Sequence, residues 1–473
     1  MKSNETVTST HLRTRFASRL SRLYGTEVPA YTTLVDVAQE VNQRVLERQG
    51  ADAERLGSID RVTAERHGAI RVGSPRELAH VARIFGALGM HPCGFYDLRD
   101  AAPAPIPVVS TAFRPLDRDE LAANPFRVFT SMLVPEDRRF FDADLERRLR
   151  SFLEARELFP PELLALADKA IEHGGLSTGD ADRYLDLATA SFALSADPVD
   201  RAWYGELERI SSVAADIGGV TSTHINHLTP RVLDIDDLYD SMQARGVAMI
   251  DEIQGPPRWD GPDVLLRQTS FRALSEPRSF HEPDGSISQG ALRVRFGEVE
   301  ARGIALTPAG RDRFDELVAA VDRRLADTPG LARSEAARQM WTEGMPATER
   351  QLCTQGLGFF TFRVDTDALV GQPRPEQTAA LRSGELTALV EAGVLSADPI
   401  VYEDFLPRSA AGIFASNLAG HVSLHEGQGG APRDITWMSG VLDRTVRVPE
   451  QIYAQEASTS LKAAEAVLGR QIR

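Results

Sequence analysis

The chain has 473 residues, 42% of them apolar and 26% charged, and its 68 acidic against 53 basic side chains give a formal net charge of -15. Such a field repels phosphate backbones and anionic lipid, which argues against nucleic acid and membrane surfaces as partners and leaves an anionic substrate possible only where arginines cluster locally. Two isolated cysteines, Cys93 and Cys353, make no disulfide framework or zinc-ribbon spacing; with no bilayer-length apolar run and no apolar signal core in "MKSNETVTSTHLRTRF", the sequence predicts a cytoplasmic protein of two or three domains.

Residues 1–60 read as an N-terminal helical segment. Within it "TTLVDVAQEVNQRVLERQG" (32–50) carries apolar residues at helical spacing and closes on Gly50. Residues 61–135 read as the first half of a β core. A strand is expected at 66–72, followed by a helix over "SPRELAHVARIFGALGM" (74–90). Ser74 is placed there as N-cap, Pro75 at the first helical position and Glu77 at the capping-box position. "CGFYDL" (93–98) and "PIPVVSTAF" (105–113) complete this half as strands. Residues 136–215 change character to a helical insertion of four helices, the last over "DRAWYGELERISSVAADI". Residues 216–306 return to strands at 223–233, 263–271 and 291–303. The remaining residues, 307–473, are mostly helical, with strands expected at 356–364 and at "AAGIFASNL" (410–418).

A repeat runs through this plan. "RHGAIRVGSPRELAHVARIFGALGM" and "NHLTPRVLDIDDLYDSMQARGV" each present a histidine, an arginine four residues later, a valine, a polar cap region, an amphipathic helix and a closing glycine. The histidines, His67 and His227, lie 160 positions apart. A βαβ-type unit opening on histidine thus occurs twice, with the helical block between the copies. A third residue of interest is Glu298 in "RFGEVEARG", because a carboxylate in an apolar strand is costly to bury without a partner. Two imidazoles and a carboxylate on neighbouring strands form the facial triad that holds non-haem Fe(II) with open positions. The plainer alternative has both histidines bonded to backbone at the core edge and Glu298 paired with Arg295 or Arg302. Strand alternation puts Glu300 on the same face as Glu298, so parity leaves the two open. His224 competes with His227, but only His227 keeps the repeat register.

Other motifs carry less. "GLSTG" (175–179) fits G-x-S-x-G formally, but a helix precedes it where a nucleophile elbow needs a strand, so Gly174 and Gly175 read as a helix C-cap and Ser177 or Thr178 as an N-cap. His421 and His425 in "HVSLHE" have helical spacing without the H-E-x-x-H order of a zinc protease. Neither a Walker loop nor a G-x-G-x-x-G occurs. The charged run 136–150 reads as a solvated helix face.

Taken together and in order, "ERHGAIRVGSPREL", "GMHPCGFYDLRDA", "STAFRPLD", "NPFRVFTSML", "INHLTPRVLDID", "LLRQTSF", "RFGEVEARGIALTPAGR" and "YEDFLPRSAAGIFASNLAG" resemble the 2-oxoadipate dioxygenase/decarboxylase (hydroxyglutarate synthase) family over about residues 24–420. The resemblance implies an α+β fold with a vicinal oxygen chelate-like core, in which paired βαβββ modules curve around a metal. It also implies that the C-terminal region 307–473 contributes to the substrate pocket.

For the site, the resemblance implies Fe(II) on His67, His227 and Glu298, favouring His227 through "INHLT" and Glu298 through its place two residues after the phenylalanine. Arg71 matches the arginine that holds the distal carboxylate of a 2-oxo acid. Four residues of strand separate it from His67 by about 13 Å, so it must reach back toward the metal. Gln268, alternating on "LLRQTSF", is a further candidate for substrate contact. The implied reaction takes a 2-oxo acid such as 2-oxoadipate and O2 to a 2-hydroxy acid such as 2-hydroxyglutarate and CO2, without nicotinamide or flavin. Two departures stand out: Arg408, beside Ser409, occupies a valine position in a segment that lines the distal pocket, and His91 and Cys93 replace smaller apolar residues. Arg408 leaves the identity of the acid open. The competing classes are a non-oxidative metal-dependent lyase or isomerase of the same fold and a binding protein without chemistry.

Overall fold

Strand β1 (Arg66–Val72) forms where the apolar run predicts it, and six of its seven residues are buried. The cause is a sheet covered on both faces, whose alternate residues enter different cores. Ala69 joins one core with Phe129 and Phe405, whereas Ile70 and Val72 join the other with Phe85 and Phe113. The computed structural model describes residues 6–101, 105–293, 295–366, 374–417 and 430–473.

After β1 come α1 (Pro75–Ala87), β2 (His91–Asp97), β3 (Val108–Arg114) and β4 (Arg127–Leu133). Ser74 caps α1 by accepting from the Glu77 amide, with Pro75 at the first helical position as its sequence predicts. Strand β4 has no counterpart among the expected elements. It is buried along its whole length and pairs parallel to β1. A strand buried on both faces lacks the polar alternation that marks a half-exposed one. The chain then runs through helices at Ala143–Ala155, Pro161–His173 and Thr178–Ser191. The fourth expected helix is two helices, Arg201–Glu208 and α2 (Ser212–Gly218), because Ser211 turns extended and its hydroxyl caps the Val213 amide.

The second unit opens on β5 (His227–Pro230), shorter than the strand expected at 223–233, and continues through α3 (Ile235–Ala244), β6 (Leu266–Phe271) and β7 (Gly297–Arg302). The strand order of the larger sheet is β2-β3-β4-β1-β5, with β1 and β5 antiparallel. Strand β7 pairs antiparallel with β6 and meets β5 through a parallel bridge between Arg231 and Glu300. Each unit therefore sets its opening strand parallel to its closing strand: β1 beside β4, and β5 beside β7. The fold is α+β, and the repeat seen in the sequence is a repeat in space. An additional hairpin, Glu276–His281 with Ile287–Leu292, precedes β7 and takes the first two residues of the strand expected over 291–303.

In the C-terminal region Phe360–Val364 pairs with Leu395–Pro399 as a two-stranded sheet. The expected strand at 410–418 is instead helix α4 (Pro407–Asn417). Periodicity does not separate a short apolar helix from a buried strand, and Pro407 at the first helical position favours the helix. The five sequence segments do not pack separately. One core combines Leu149, Ala69, Leu266 and Phe314, and the other combines Phe16, Val109, Tyr184, Leu238 and Met438. Among the described residues no helix is long and apolar enough to cross a membrane.

Candidate metal centre

The antiparallel register of β1 and β5 sets Ala69 opposite His227 and His67 opposite Thr229, so His67, Ala69, Arg71 and His227 share one face. The two imidazole rings stand 5.3 Å apart, nearly perpendicular at 82°. Glu298 of β7 closes the group, with Oε1 3.6 Å from His67 Nε2 and Oε2 2.6 Å from His227 Nδ1. One donor atom from each residue lies within 4.8 Å of the others, and all three side chains are buried.

These residues fit a metal. Neither ring nitrogen of His227 meets a partner in hydrogen-bond geometry, although Glu298 stands close by. Buried polar atoms are rarely left in this state unless something converges on them. Burial lowers the His227 pKa against the opposing pull of Glu298, and His67 and Arg71 lower it further. The neutral imidazole this favours is the form that binds metal. Aromatic rings wall the site: Phe405 meets His67 edge-on at 5.0 Å and Phe296 meets His227 at 5.3 Å.

Glu300, the competing carboxylate, stands on the other side of His67, with Oε2 2.8 Å from Nδ1. Arg302 donates to both its oxygens, at 2.7 and 2.9 Å, and Arg127 adds a third contact at 3.3 Å. Burial would raise the Glu300 pKa, but Arg302, His67 and Arg127 bring it down to about 2. The same buried network continues to Glu65, which accepts from Arg127 at 2.7 Å and Arg231 at 2.9 Å, and to Glu403, which accepts from Arg127 at 2.5 Å. Glu298 thus faces both histidines while Glu300 backs one of them.

Arg71 is buried on the face of His67, and its Nη1 donates to Asp216 of α2. Asn226 Nδ2 donates to Asp216 at 3.0 Å, and His224 Nε2 lies 3.0 Å from the same amide nitrogen. His224 therefore belongs to the Asp216 group and not to the triad. Burial lowers its pKa to about 4, with Asp216 opposing. A cavity of about 420 Å³ lies beyond Asp216 and His224, with Arg278 on its wall.

Gln268 reaches the triad through Glu298, to whose Oε1 its Nε2 donates. Ser409 is buried on α4. Arg408 is not brought to the site: its side chain is 54% exposed and pairs with Asp322 at 3.0 Å. Successive helical residues point about 100° apart, so a buried Ser409 sends its neighbour outward. His421 and His425 lie outside the described residues, and Ser177 caps a helix by accepting from the Asp180 amide. Sequence reasoning does not find Asp216, Glu65, Arg127 or Phe405, since nothing local distinguishes them. The juxtaposition "ERH" at 65–67 is the one trace of the network.

The family model for 2-oxoadipate dioxygenase/decarboxylase matches residues 16–417. The chain belongs to the 2-oxoadipate dioxygenase/decarboxylase family. A 2-oxoadipate dioxygenase/decarboxylase of Mycobacterium tuberculosis is 52% identical over 453 residues, covering 96% of this chain and 98% of the relative. One from Pseudomonas putida is 37% identical over 470 residues, covering 98% of each. The crystal structure of hydroxyglutarate synthase from Pseudomonas putida in complex with 2-oxoadipate superposes with a TM-score of 0.82 at 36% identity, covering 99% of this chain and 100% of that one.

Proposed function

We propose that this chain is an Fe(II)-dependent dioxygenase that oxidatively decarboxylates a 2-oxo acid of the 2-oxoadipate type. The products are CO2 and the one-carbon-shorter 2-hydroxy acid, 2-hydroxyglutarate for 2-oxoadipate. Both atoms of O2 enter the products, so the equation balances with no external reductant. The observation that carries this reading is the buried His67, His227 and Glu298 group, its donor atoms within 4.8 Å of one another, in a chain 52% identical to a protein named for this reaction.

His67, His227 and Glu298 would hold the metal. Fe(II) so bound supplies open positions where a 2-oxo acid and O2 can meet. The chain's own residues do the rest. Arg71 orients the substrate by pairing with its distal carboxylate through a planar, permanently charged fork. Gln268 holds Glu298 in place from the neighbouring strand and borders the substrate on the same side. Ser409 offers a hydroxyl at the distal end, whereas Arg408, turned to Asp322, lies outside the pocket. Phe405, Phe296 and Phe129 exclude water from the reacting atoms.

The test is oxygen uptake and CO2 release by the Fe(II)-loaded protein across 2-oxo acids of different length and distal group, 2-oxoadipate included. Coupled, equimolar uptake and release is expected. Turnover under strict anaerobiosis would assign the site to a non-oxidative lyase or isomerase instead.

A further inference from the structure

Arg71 shares its end of the site with a carboxylate. Asp216 is buried at 5% exposure, and its Oδ2 accepts from both Arg71 Nη1 and Asn226 Nδ2. Its Oδ1 has no partner in hydrogen-bond geometry and stands 3.5 Å from His224 Nε2, beside the cavity of about 420 Å³ that Asp216 and His224 line together. Burial raises the Asp216 pKa, but His224, Arg71 and Asn226 together hold it below the ordinary carboxylate range, so the group is an anion. The pair it forms with Arg71 is electrically neutral.

That neutrality has a consequence for substrate choice. A distal carboxylate arriving at Arg71 meets the attraction of the guanidinium and, a few ångströms beyond, the repulsion of Asp216. In a buried site neither is strongly screened. An uncharged distal group meets neither. We propose that Asp216 is a specificity-determining residue, which neutralises part of the field of Arg71 and so limits the preference of the pocket for a distal carboxylate over an uncharged distal group. The proposal rests on the reading that Arg71 meets the distal carboxylate. Asn226 and the cavity supply its physical setting. The amide fixes the Asp216 oxygen shared with Arg71, so a neutral isostere can keep the contact while losing the charge.

The experiment compares two acids with the same six-carbon chain, 2-oxoadipate and 2-oxohexanoate, whose distal ends are a carboxylate and a methyl group. Dissociation constants are measured anaerobically by calorimetry on the Fe(II)-loaded protein, and steady-state KM and kcat are read beside them. Asp216→Asn and Asp216→Ser are taken in parallel, so that one folded variant suffices, together with Arg71→Gln. Removing the Asp216 charge should raise the preference for 2-oxoadipate roughly tenfold, through its dissociation constant and KM rather than kcat. Arg71→Gln should collapse that preference. If Arg71→Gln collapses it while the neutral Asp216 variants leave it unchanged or lower it, the Asp216 proposal is overturned and the role of Arg71 stands. If Arg71→Gln leaves it unchanged, both are overturned.

Discussion

Oε2 of Glu298 stands 2.6 Å from Nδ1 of His227, off the direction a ring N–H would need for a hydrogen bond, and both groups are buried. Glu298 also approaches Nε2 of His67, and one donor atom from each of the three residues lies within 4.8 Å of the others, a spacing that suits ligands of one ion. Replacing His67, His227 or Glu298 singly by alanine should therefore abolish stoichiometric metal binding while the protein stays folded. Metal analysis after reconstitution, with circular dichroism as the control for folding, reads both. Full metal occupancy in any one of the three variants would remove that residue from the centre.

Glu300 supports a separate expectation. It contacts the far nitrogen of His67, and a carboxylate in that place orients a metal-binding imidazole. Glu300→Gln should keep the site but weaken metal affinity about 10–100-fold, as partners behind a ligand commonly do. Competition titration against a chelator measures it. Glu300→Ala should in addition destabilise the fold by about 3–5 kcal/mol, because Arg302 and Arg127 lose a buried counter-charge. Complete loss of metal in Glu300→Gln would make Glu300 a ligand itself.

These two carboxylates also mark how far the sequence could be read. Both fall on one face of β7, so alternation alone left them equivalent, and only the positions of the two histidines in space separate them: Glu298 approaches both rings, Glu300 the far nitrogen of His67. The histidines were legible because each opens a unit that recurs with the same arginine and valine after it. Strand β4 was not, since "RVFTSML" is buried on both faces and shows no period. Asp216 was hidden for a different reason. It lies 145 positions from Arg71, in a helix that reads as the tail of a longer one until Ser211 interrupts it. Arg408 looked like a pocket cation because the resemblance places its segment along the distal pocket, and one helical step from the buried Ser409 turns it to solvent.

Arg71 carries the expected recognition of the distal carboxylate. Arg71→Ala should weaken 2-oxoadipate binding by roughly 2–5 kcal/mol, the cost of truncating one side of a desolvated charge pair. The loss should appear in kcat/KM for 2-oxoadipate with metal content unchanged, because Arg71 is not one of the grouped donor residues. An unchanged kcat/KM would sink the clamp.

The last expectation concerns acid stability and the C-terminal region. Asp404 is fully buried and accepts two bonds from Arg114 of β3, both at 2.9 Å, and one from the Tyr453 hydroxyl. It adjoins Phe405, which covers His67, so this ion pair ties the aromatic wall of the site to the central sheet. Burial raises the Asp404 pKa, but Arg114, Tyr453 and Cys93 outweigh it and hold the group below the ordinary carboxylate value. A carboxyl whose folded pKa is depressed contributes stability that is present above its unfolded pKa, about 3.9, and is lost as pH falls through the folded value. Asp404→Asn should therefore destabilise the protein by about 3–5 kcal/mol at neutral pH, since Arg114 is left buried and unpaired. The gap between wild type and variant should narrow only below about pH 4, where the wild-type carboxyl begins to lose its advantage. Thermal unfolding of both proteins from pH 7 down to pH 3 measures the gap directly. A gap that stays constant across that range would mean that the pair contributes packing without charge.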